Sequence, residues 1–282
     1  MKRLPSQQQI RKTAAALTSS EIGALSHVKG RVAIITGGAG MLGTEYARVL
    51  AGAGARVALF DILSAVELGR RAAAIGKDVI GISLDVSNER AVQKAVAAVK
   101  KKFGSIDIVI NNAALTDFSS RWDRFSPYES FPTELWDKEI DVTLGGAFRV
   151  TKAVLPHLMR QKSGVIVNIA SMYGFVGPDN RIYPKGKFRS IAYAAAKSGM
   201  YNFTRALASY LAPYHVRVNT LTLGGVRSGQ DRRFLRAYAQ RSMMNRMLER
   251  EEVRGPMLFL CSDASSAMTG ANLVVDGGWS AW

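Results

Sequence analysis

The chain predicts an α/β fold in which one parallel sheet is covered by helices on both faces. Three observations predict it. From residue 30 onward, short β-branched runs alternate with longer segments that carry apolar residues at helical spacing. The first of those runs empties into a glycine-rich turn that leads into a segment of helical character. No internal repeat and no Pro/Ser-rich linker interrupts residues 30–282, so a single domain is expected.

Residues 1–29 read as an N-terminal extension. They lack the continuous apolar core and small-residue cleavage pattern of a secretory signal. Their basic, acid-poor start is also compatible with an organellar transit peptide, but a partly ordered extension or subunit-contact arm is the expectation taken forward. The strands follow as VAIIT, RVALF, VIGISL, IDIVI, GVIVNI, RVNTLTL and LVV. Between them lie helical segments such as SNERAVQKAVAAVKKKFG. Such alternation implies right-handed βαβ units, about seven parallel strands, and ligands at the carboxyl ends of those strands.

Composition narrows the function classes. Apolar residues make up 48% of the 282, yet Gly, Lys, Arg or Asp breaks them every few positions, and no run approaches the roughly 18–20 residues that span a bilayer. No membrane association is expected. Cys261 is the sole cysteine, which excludes an intrachain disulfide or a thiolate cluster and fits a reducing, cytoplasmic compartment. His27, His157 and His215 are far apart and show no metal-ligand spacing, so no metal site is expected. The net charge of +16 asks for an anionic partner: an acidic small substrate, an acidic carrier protein or nucleic acid, with a merely solubilising surface as the plain alternative.

The glycine-rich turn is GGAGMLG, residues 37–43. Gly38, Gly40 and Gly43 give G-x-G-x-x-G between a strand and a helix, where the backbone must turn tightly and let a pyrophosphate approach the N–H groups of the helix start. A second strand follows the helix and ends in Asp61, at the distance expected of a ribose-binding carboxylate. This is a Rossmann-type doubly wound sheet. A carboxylate there accepts both ribose hydroxyls and repels a 2′-phosphate, and no Lys or Arg lies within the loop or at Ile62, so NAD is preferred over NADP.

Tyr193 and Lys197 stand four apart and share one face of a helix, with small residues between them. A phenol titrates near ~10 and is a poor acid–base at neutral pH; an adjacent ammonium stabilises the phenolate and makes it a usable proton shuttle. Upstream, the strand in GVIVNIAS ends at Ser171, whose hydroxyl can hold the substrate oxygen while Tyr193 exchanges its proton.

With these pieces in place the sequence resembles the classical short-chain dehydrogenase/reductase family over essentially all of residues 30–282. The matching motifs are TGGAGMLG at 36–43, LDV at 84–86, NNAA at 111–114, Ser171, YAAAK at 193–197, RVN at 217–219, LGGV at 223–226 and VDGGW at 275–279. The resemblance implies that Gly37, Gly38, Gly40, Met41, Leu42 and Gly43 hold the pyrophosphate and Asp61 the adenosine ribose. It implies that Asp85 and Val86 flank adenine, that Asn112 lies along the cofactor, and that Val226 meets the nicotinamide carboxamide through its backbone. Ser171, Tyr193 and Lys197 become the catalytic core, Lys197 also holding the nicotinamide ribose, in a homodimer or homotetramer. Three positions depart from the family. Met41 stands where a glycine is usual. Thr143 replaces the catalytic asparagine, keeping the backbone carbonyl that presents a water to the lysine. Leu223 replaces a proline, which is expected to loosen the nicotinamide turn.

Ser171 and Tyr193 are 22 positions apart, wider than the family's usual spacing, and the surplus is a polar, cationic loop spanning 177–190. Because Ser171 and Tyr193 must converge on one oxygen, this loop has to bulge beside the active-site mouth, carrying Arg181, Lys185, Lys187 and Arg189. The segment 226–248, where the family has its substrate lid, adds Arg227, Arg232, Arg233, Arg236, Arg241 and Arg246. Arginine forks match carboxylate and phosphate, so Arg181, Lys187, Arg189 and Arg227 are candidate contacts to an anionic substrate. The expected activity is NAD-dependent interconversion of a secondary alcohol and a ketone on a small, anionic, sugar-like molecule. Two alternatives are reduction of 3-oxoacyl groups on acyl carrier protein, and a catalytically weak NAD-binding or nucleic-acid-binding protein. The last is disfavoured because the cations are not interleaved with aromatics as a stacking platform requires, so no nucleic-acid partner is expected.

Overall fold

The structure is a computed structural model that describes residues 18–115 and 123–282; residues 1–17 of the expected extension lie outside the described residues. Helix α1, Ser19–Leu25, opens on a capping box: the Glu21 N–H donates to the Thr18 hydroxyl, and the Thr18 N–H donates to the Glu21 carboxylate. Val28 is already fully buried in the core.

The seven predicted strands form one sheet. They are β1 (Val32–Thr36), β2 (Arg56–Asp61), β3 (Val79–Ser83), β4 (Ile108–Asn111), β5 (Gly164–Ser171), β6 (Val216–Leu223) and β7 (Asn272–Val275). Their order is β3-β2-β1-β4-β5-β6-β7 and every pairing is parallel. The chain walks outward from β1 to β3, then returns to β4 on the other side of β1. Strand direction from the centre therefore reverses between β1 and β4, which opens a crevice at their carboxyl ends.

The central strand β1 is buried on both faces because helices cover both. Ala33 and Ile35 of β1 join Tyr46 and Leu50 of α2 (Met41–Gly52) and Met257 and Leu260 of α9 (Arg254–Cys261). Val32 and Ile34 face the other way. They pack with Val92 and Val96 of α4 (Glu89–Phe103), Val150 and Val154 of α6 (Gly146–Gln161) and Leu211 of α7 (Ile191–Leu211). Burying a side chain of the size of Ile34 contributes roughly 1.5–3 kcal/mol, so this double-sided packing sets the register of the sheet. The remaining helices are α3 (Ala65–Ile75), α5 (Thr133–Ile140) and α8 (Arg232–Ala239).

Beneath the crevice runs a buried polar ladder. The Asn111 amide donates to Thr151 Oγ1 (3.1 Å) and Asn168 Oδ1 (2.8 Å), the Asn168 amide donates to Thr204 Oγ1 (2.9 Å), and the Thr220 hydroxyl donates to the same Thr204 oxygen (2.8 Å). It stitches β4, β5 and β6 to α6 and α7 at one height. No helix among the described residues is long and apolar enough to cross a membrane.

Candidate active site

The glycine loop is built by close approach of backbones. Gly37 adopts φ +59°, and a Cβ on it would meet Asn112 Nδ2 at 3.0 Å. A Cβ on Gly43 would overlap the Gly37 carbonyl oxygen. Gly40 is the N-cap of α2, with Met41 and Leu42 in its first turn, so their N–H groups open toward the crevice side of the helix. Asn112 locks the loop to β4: its amide donates to the Thr36 carbonyl (2.9 Å) and the Gly37 carbonyl (3.1 Å).

Asp61 ends β2 beside this loop, one carboxylate oxygen accepting from the Ala39 N–H at 3.0 Å. Sequence spacing did not reveal that Arg71, from α3, reaches the same loop. Its guanidinium donates to the Ala39 carbonyl at 2.8 Å while pairing with Glu67. Asp85 is exposed and accepts from the Ser87 N–H, whereas Val86 is buried against Gly146 at the start of α6. Val226 bridges to Leu248, and the turn before it is held although Leu223 stands where a proline is usual. Leu223 stays in β6, Gly224 N–H donates to the Val275 carbonyl (2.9 Å), and Gly225 N–H donates to the Tyr238 hydroxyl (2.6 Å).

Ser171, Tyr193 and Lys197 come together at the carboxyl end of β5. Ser171 closes that strand, its carbonyl accepting from the Tyr201 hydroxyl at 2.9 Å and its own hydroxyl accepting from the Tyr173 N–H at 3.3 Å. Tyr193 and Lys197 lie in the first two turns of α7, which Ser190 caps by accepting from the Tyr193 N–H at 3.1 Å. Lys197 is buried and its ammonium donates to the Ile169 carbonyl at 2.7 Å. Its nitrogen stands 6.0 Å from the centre of the Tyr193 ring.

A second cation is nearer. The Arg189 guanidinium stacks on the Tyr193 ring with its central carbon 3.9 Å from the ring centre. Burial pushes the Tyr193 phenol up, but the charge of Arg189 first, that of Lys197 second, and a hydrogen bond from Ser171 outweigh it, leaving the phenol below its ordinary value. Burial likewise pulls Lys197 below the usual lysine value, opposed by the charges of Tyr193 and Glu139.

Of the four candidate substrate cations, the structure brings only Arg189 to Tyr193. Arg181 pairs with Asp179 (2.8 Å), Lys187 with Asp123 (2.5 Å) and Arg227 with Glu249 (3.3 Å), and these three cations are exposed. Arg241 also reaches Asp179 (2.7 Å) and Arg246 pairs with Glu252 (2.6 Å). Asp179 thereby ties the inserted loop to the segment carrying α8. The two segments also meet through Tyr183 and Phe234, whose ring centres are 5.6 Å apart, in an apolar cluster with Tyr173, Tyr238 and Trp279.

Glu139 and Ser190 escaped the sequence reading. Glu139 is fully buried; one oxygen accepts from Arg124 (2.8 Å) and the other from the Ser190 hydroxyl (2.6 Å). An acid one helical turn before Thr143, and a serine three residues before Tyr193, are the signals that could have found them. Thr143 is buried in a wide π turn, Asp141–Gly145, between α5 and α6, and its hydroxyl has no hydrogen-bond partner among the described residues. Among the described residues no three His, Cys, Asp or Glu side chains gather as a metal would need. Cys261 is buried and its thiol is pushed up to about 12 by burial, which makes it an inert packing residue.

The family model for enoyl-(acyl carrier protein) reductase, one of the short-chain dehydrogenase/reductase models, matches residues 37–280. The chain belongs to the short-chain dehydrogenase/reductase family. It is an oxidoreductase acting on CH–OH groups. Over 88% of its length it is 36% identical to trans-4-hydroxycyclohexanecarboxylate dehydrogenase of Sinomonas cyclohexanicum, covering 92% of that protein. Its fold superimposes with a TM-score of 0.81 on a gluconate 5-dehydrogenase from Burkholderia cenocepacia crystallised with NADP and tartrate, at 28% identity, covering 93% of this chain and 99% of that one. With an NAD+-bound xylitol dehydrogenase the TM-score is 0.76 at 30% identity, covering 89% and 99%.

Proposed function

We propose that this short-chain dehydrogenase/reductase uses NAD to interconvert a secondary alcohol and a ketone on a small anionic molecule, with Tyr193 as the proton shuttle. The observation that carries the reading is one phenol set between the Ser171 hydroxyl and two cations, at the carboxyl edge of a sheet whose central crevice is lined by Gly37–Gly43. The cradle fits a dinucleotide: a side chain at Gly37 or Gly43 would strike Asn112, Ala113 or the Gly37 carbonyl, so only glycine permits the tight turn that leaves the N–H groups at the start of α2 open to a pyrophosphate. When bound, the dinucleotide supplies a hydride acceptor or donor.

The chain's own residues do the rest. Ser171 holds the substrate oxygen, Tyr193 takes the hydroxyl proton during oxidation and returns it during reduction, and Lys197 keeps the phenol acidic from below. Arg189 does so from the ring face. Thr143, in the wide turn beside Lys197's helix, supplies the backbone carbonyl that would present a water to the lysine. Tyr193 must be deprotonated to act as base, so oxidation accelerates as pH rises through the phenol's pKa, and the lowered pKa puts that rise below about 10.

NAD is favoured over NADP because the Asp61 carboxylate ends β2 at the loop; Arg71 beside it is already paired with Glu67. Relatives named for NADP and for NAD+ stand on either side of this choice. An acidic substrate is supported by two relatives named for a hydroxy acid and a sugar acid. The test is Tyr193→Phe under NAD with hydroxy acids and polyols: turnover falls roughly 10²- to 10⁴-fold while NAD affinity is unchanged, and retained turnover overturns the assignment. Reduction of acyl thioesters is the second reading, favoured by the family model's description; activity on an acetoacetyl thioester, above that on hydroxy acids, would select it.

A further inference from the structure

Buried charge around Tyr193 does not balance. Among the described residues, Arg189 and Lys197 lie against the phenol. The acid whose charge acts on both Arg189 and Lys197 is Glu139, and its two oxygens are already taken by Arg124 and Ser190. In the inserted loop and lid, Arg181, Lys187, Arg227, Arg241 and Arg246 pair with carboxylates of this chain; among the described residues Arg189 pairs with none, and unlike Lys185, Arg232, Arg233 and Arg236, which also lack an ion pair but are exposed, it lies against the reacting phenol. Among the described residues its Nε is buried without a hydrogen-bond partner, and the buried hydroxyl of Tyr173, two residues after Ser171, has none of good geometry, with only the Tyr183 phenol in reach. A guanidinium left with an unused buried donor is costly unless an acceptor completes it.

The two orphaned donors share one wall. The charge of Arg189 acts on Tyr173, Tyr183 and Tyr193 alike, and Tyr173 packs edge-on against Trp279 with ring centres 6.3 Å apart. We propose that Arg189 and the Tyr173 hydroxyl form a receptor for one carboxylate, so that the substrate is a compact hydroxy acid whose carboxylate rests on them while its carbinol carbon faces Ser171 and Tyr193. One guanidinium edge and one phenol supply the two or three donors that a singly charged, planar carboxylate accepts; a phosphate ester, with three oxygens and about two charges, would leave acceptors unmet. The aromatic wall between the two ends suits a hydrocarbon ring or short chain. The inference rests on Tyr193 as the reacting phenol for the position of the alcohol, but the receptor itself is tested by binding alone.

The experiment uses the full chain with NADH bound and cyclohexanecarboxylate as an unreactive probe, measured by calorimetry against its methyl ester and against cyclohexyl phosphate. The acid binds and the ester does not. Arg189→Met weakens acid binding about 10- to 100-fold with NADH affinity unchanged, which also reports a folded protein. Arg189→Lys restores part of it, and Tyr173→Phe, a milder change, weakens it by about five-fold. In parallel, the ratio of kcat/KM for trans-4-hydroxycyclohexanecarboxylate over cyclohexanol drops in Arg189→Met. Equal binding of acid and ester, tighter binding of the phosphate, or undiminished acid binding in Arg189→Met overturns the receptor. Arg189-dependent acid binding without Tyr193-dependent turnover upholds the receptor and sinks the proposed reaction; oxidation of cyclohexanol with no preference for the acid does the reverse.

Discussion

The loop 37–43 and the loop 177–190 both leave the carboxyl edge of the same sheet, and different forces hold them. The first is a backbone structure: three glycines let main chain pass against main chain, and Asn112 and Asp61 fasten it through N–H and C=O groups. The second is a side-chain structure. Asp179 grips Arg181 and Arg241, Lys187 reaches Asp123, and Tyr183 lies between Phe125 and Phe234. A backbone cradle tolerates almost no change and suits an invariant ligand part such as a pyrophosphate. A clasp of ion pairs and rings can be retuned one residue at a time, which suits the part of the site that meets the substrate.

This contrast makes predictions of graded size. The largest effect belongs to the cradle: Gly43→Ala drives a methyl group into the Gly37 carbonyl, and an overpacking cost of about 1–3 kcal/mol falls on the bound geometry. Dinucleotide affinity, read by NADH fluorescence titration, falls roughly 10- to 100-fold. Unchanged affinity would mean that the loop is not the binding surface. Asp61→Ala comes next. It removes a charged acceptor worth about 1.5–3 kcal/mol to the ribose hydroxyls, frees the approach to Arg71, and shifts the NAD-to-NADP ratio of kcat/KM by about ten-fold or more toward NADP. A constant ratio would break the assignment of Asp61.

The smallest effect belongs to the clasp. Asp179→Asn loosens two pairs whose arginines are exposed, each worth about 0–1 kcal/mol, so substrate KM rises by no more than about five-fold and NAD affinity does not move. The Arg181 hydrogen bond holds the Asp179 carboxyl below its usual range. This pairing is therefore complete above the unfolded carboxylate's pKa and is lost as pH falls through the lowered one. At moderate ionic strength the wild type should approach the variant's KM as salt is raised. A loss of NAD affinity in Asp179→Asn would show that the two loops are not independent.

What was legible in the sequence follows the same division. The strands and the glycine turn could be read because apolar runs and glycine spacing report backbone requirements directly, and the convergence of Ser171, Tyr193 and Lys197 followed from strand end and helical spacing. The direction of each cation could not be read. Arg181, Lys187 and Arg189 are chemically alike and nearly adjacent, and what separates them is where Asp179 and Asp123 happen to lie; only Arg189 is left to turn inward over the phenol. Glu139 was hidden for a related reason: its burial is tolerable only because Arg124 and Ser190, 15 and 51 positions away, arrive beside it in the fold.

The amide and hydroxyl ladder from Asn111 through Asn168 and Thr204 to Thr220 has a mechanical consequence. Side chains that recognise each other at one height forbid sliding, so three strands and two helices form a stiff floor under the crevice. Entry and departure of small molecules must then be accommodated by the roof, where Asp179 is a fastener that water and salt can undo.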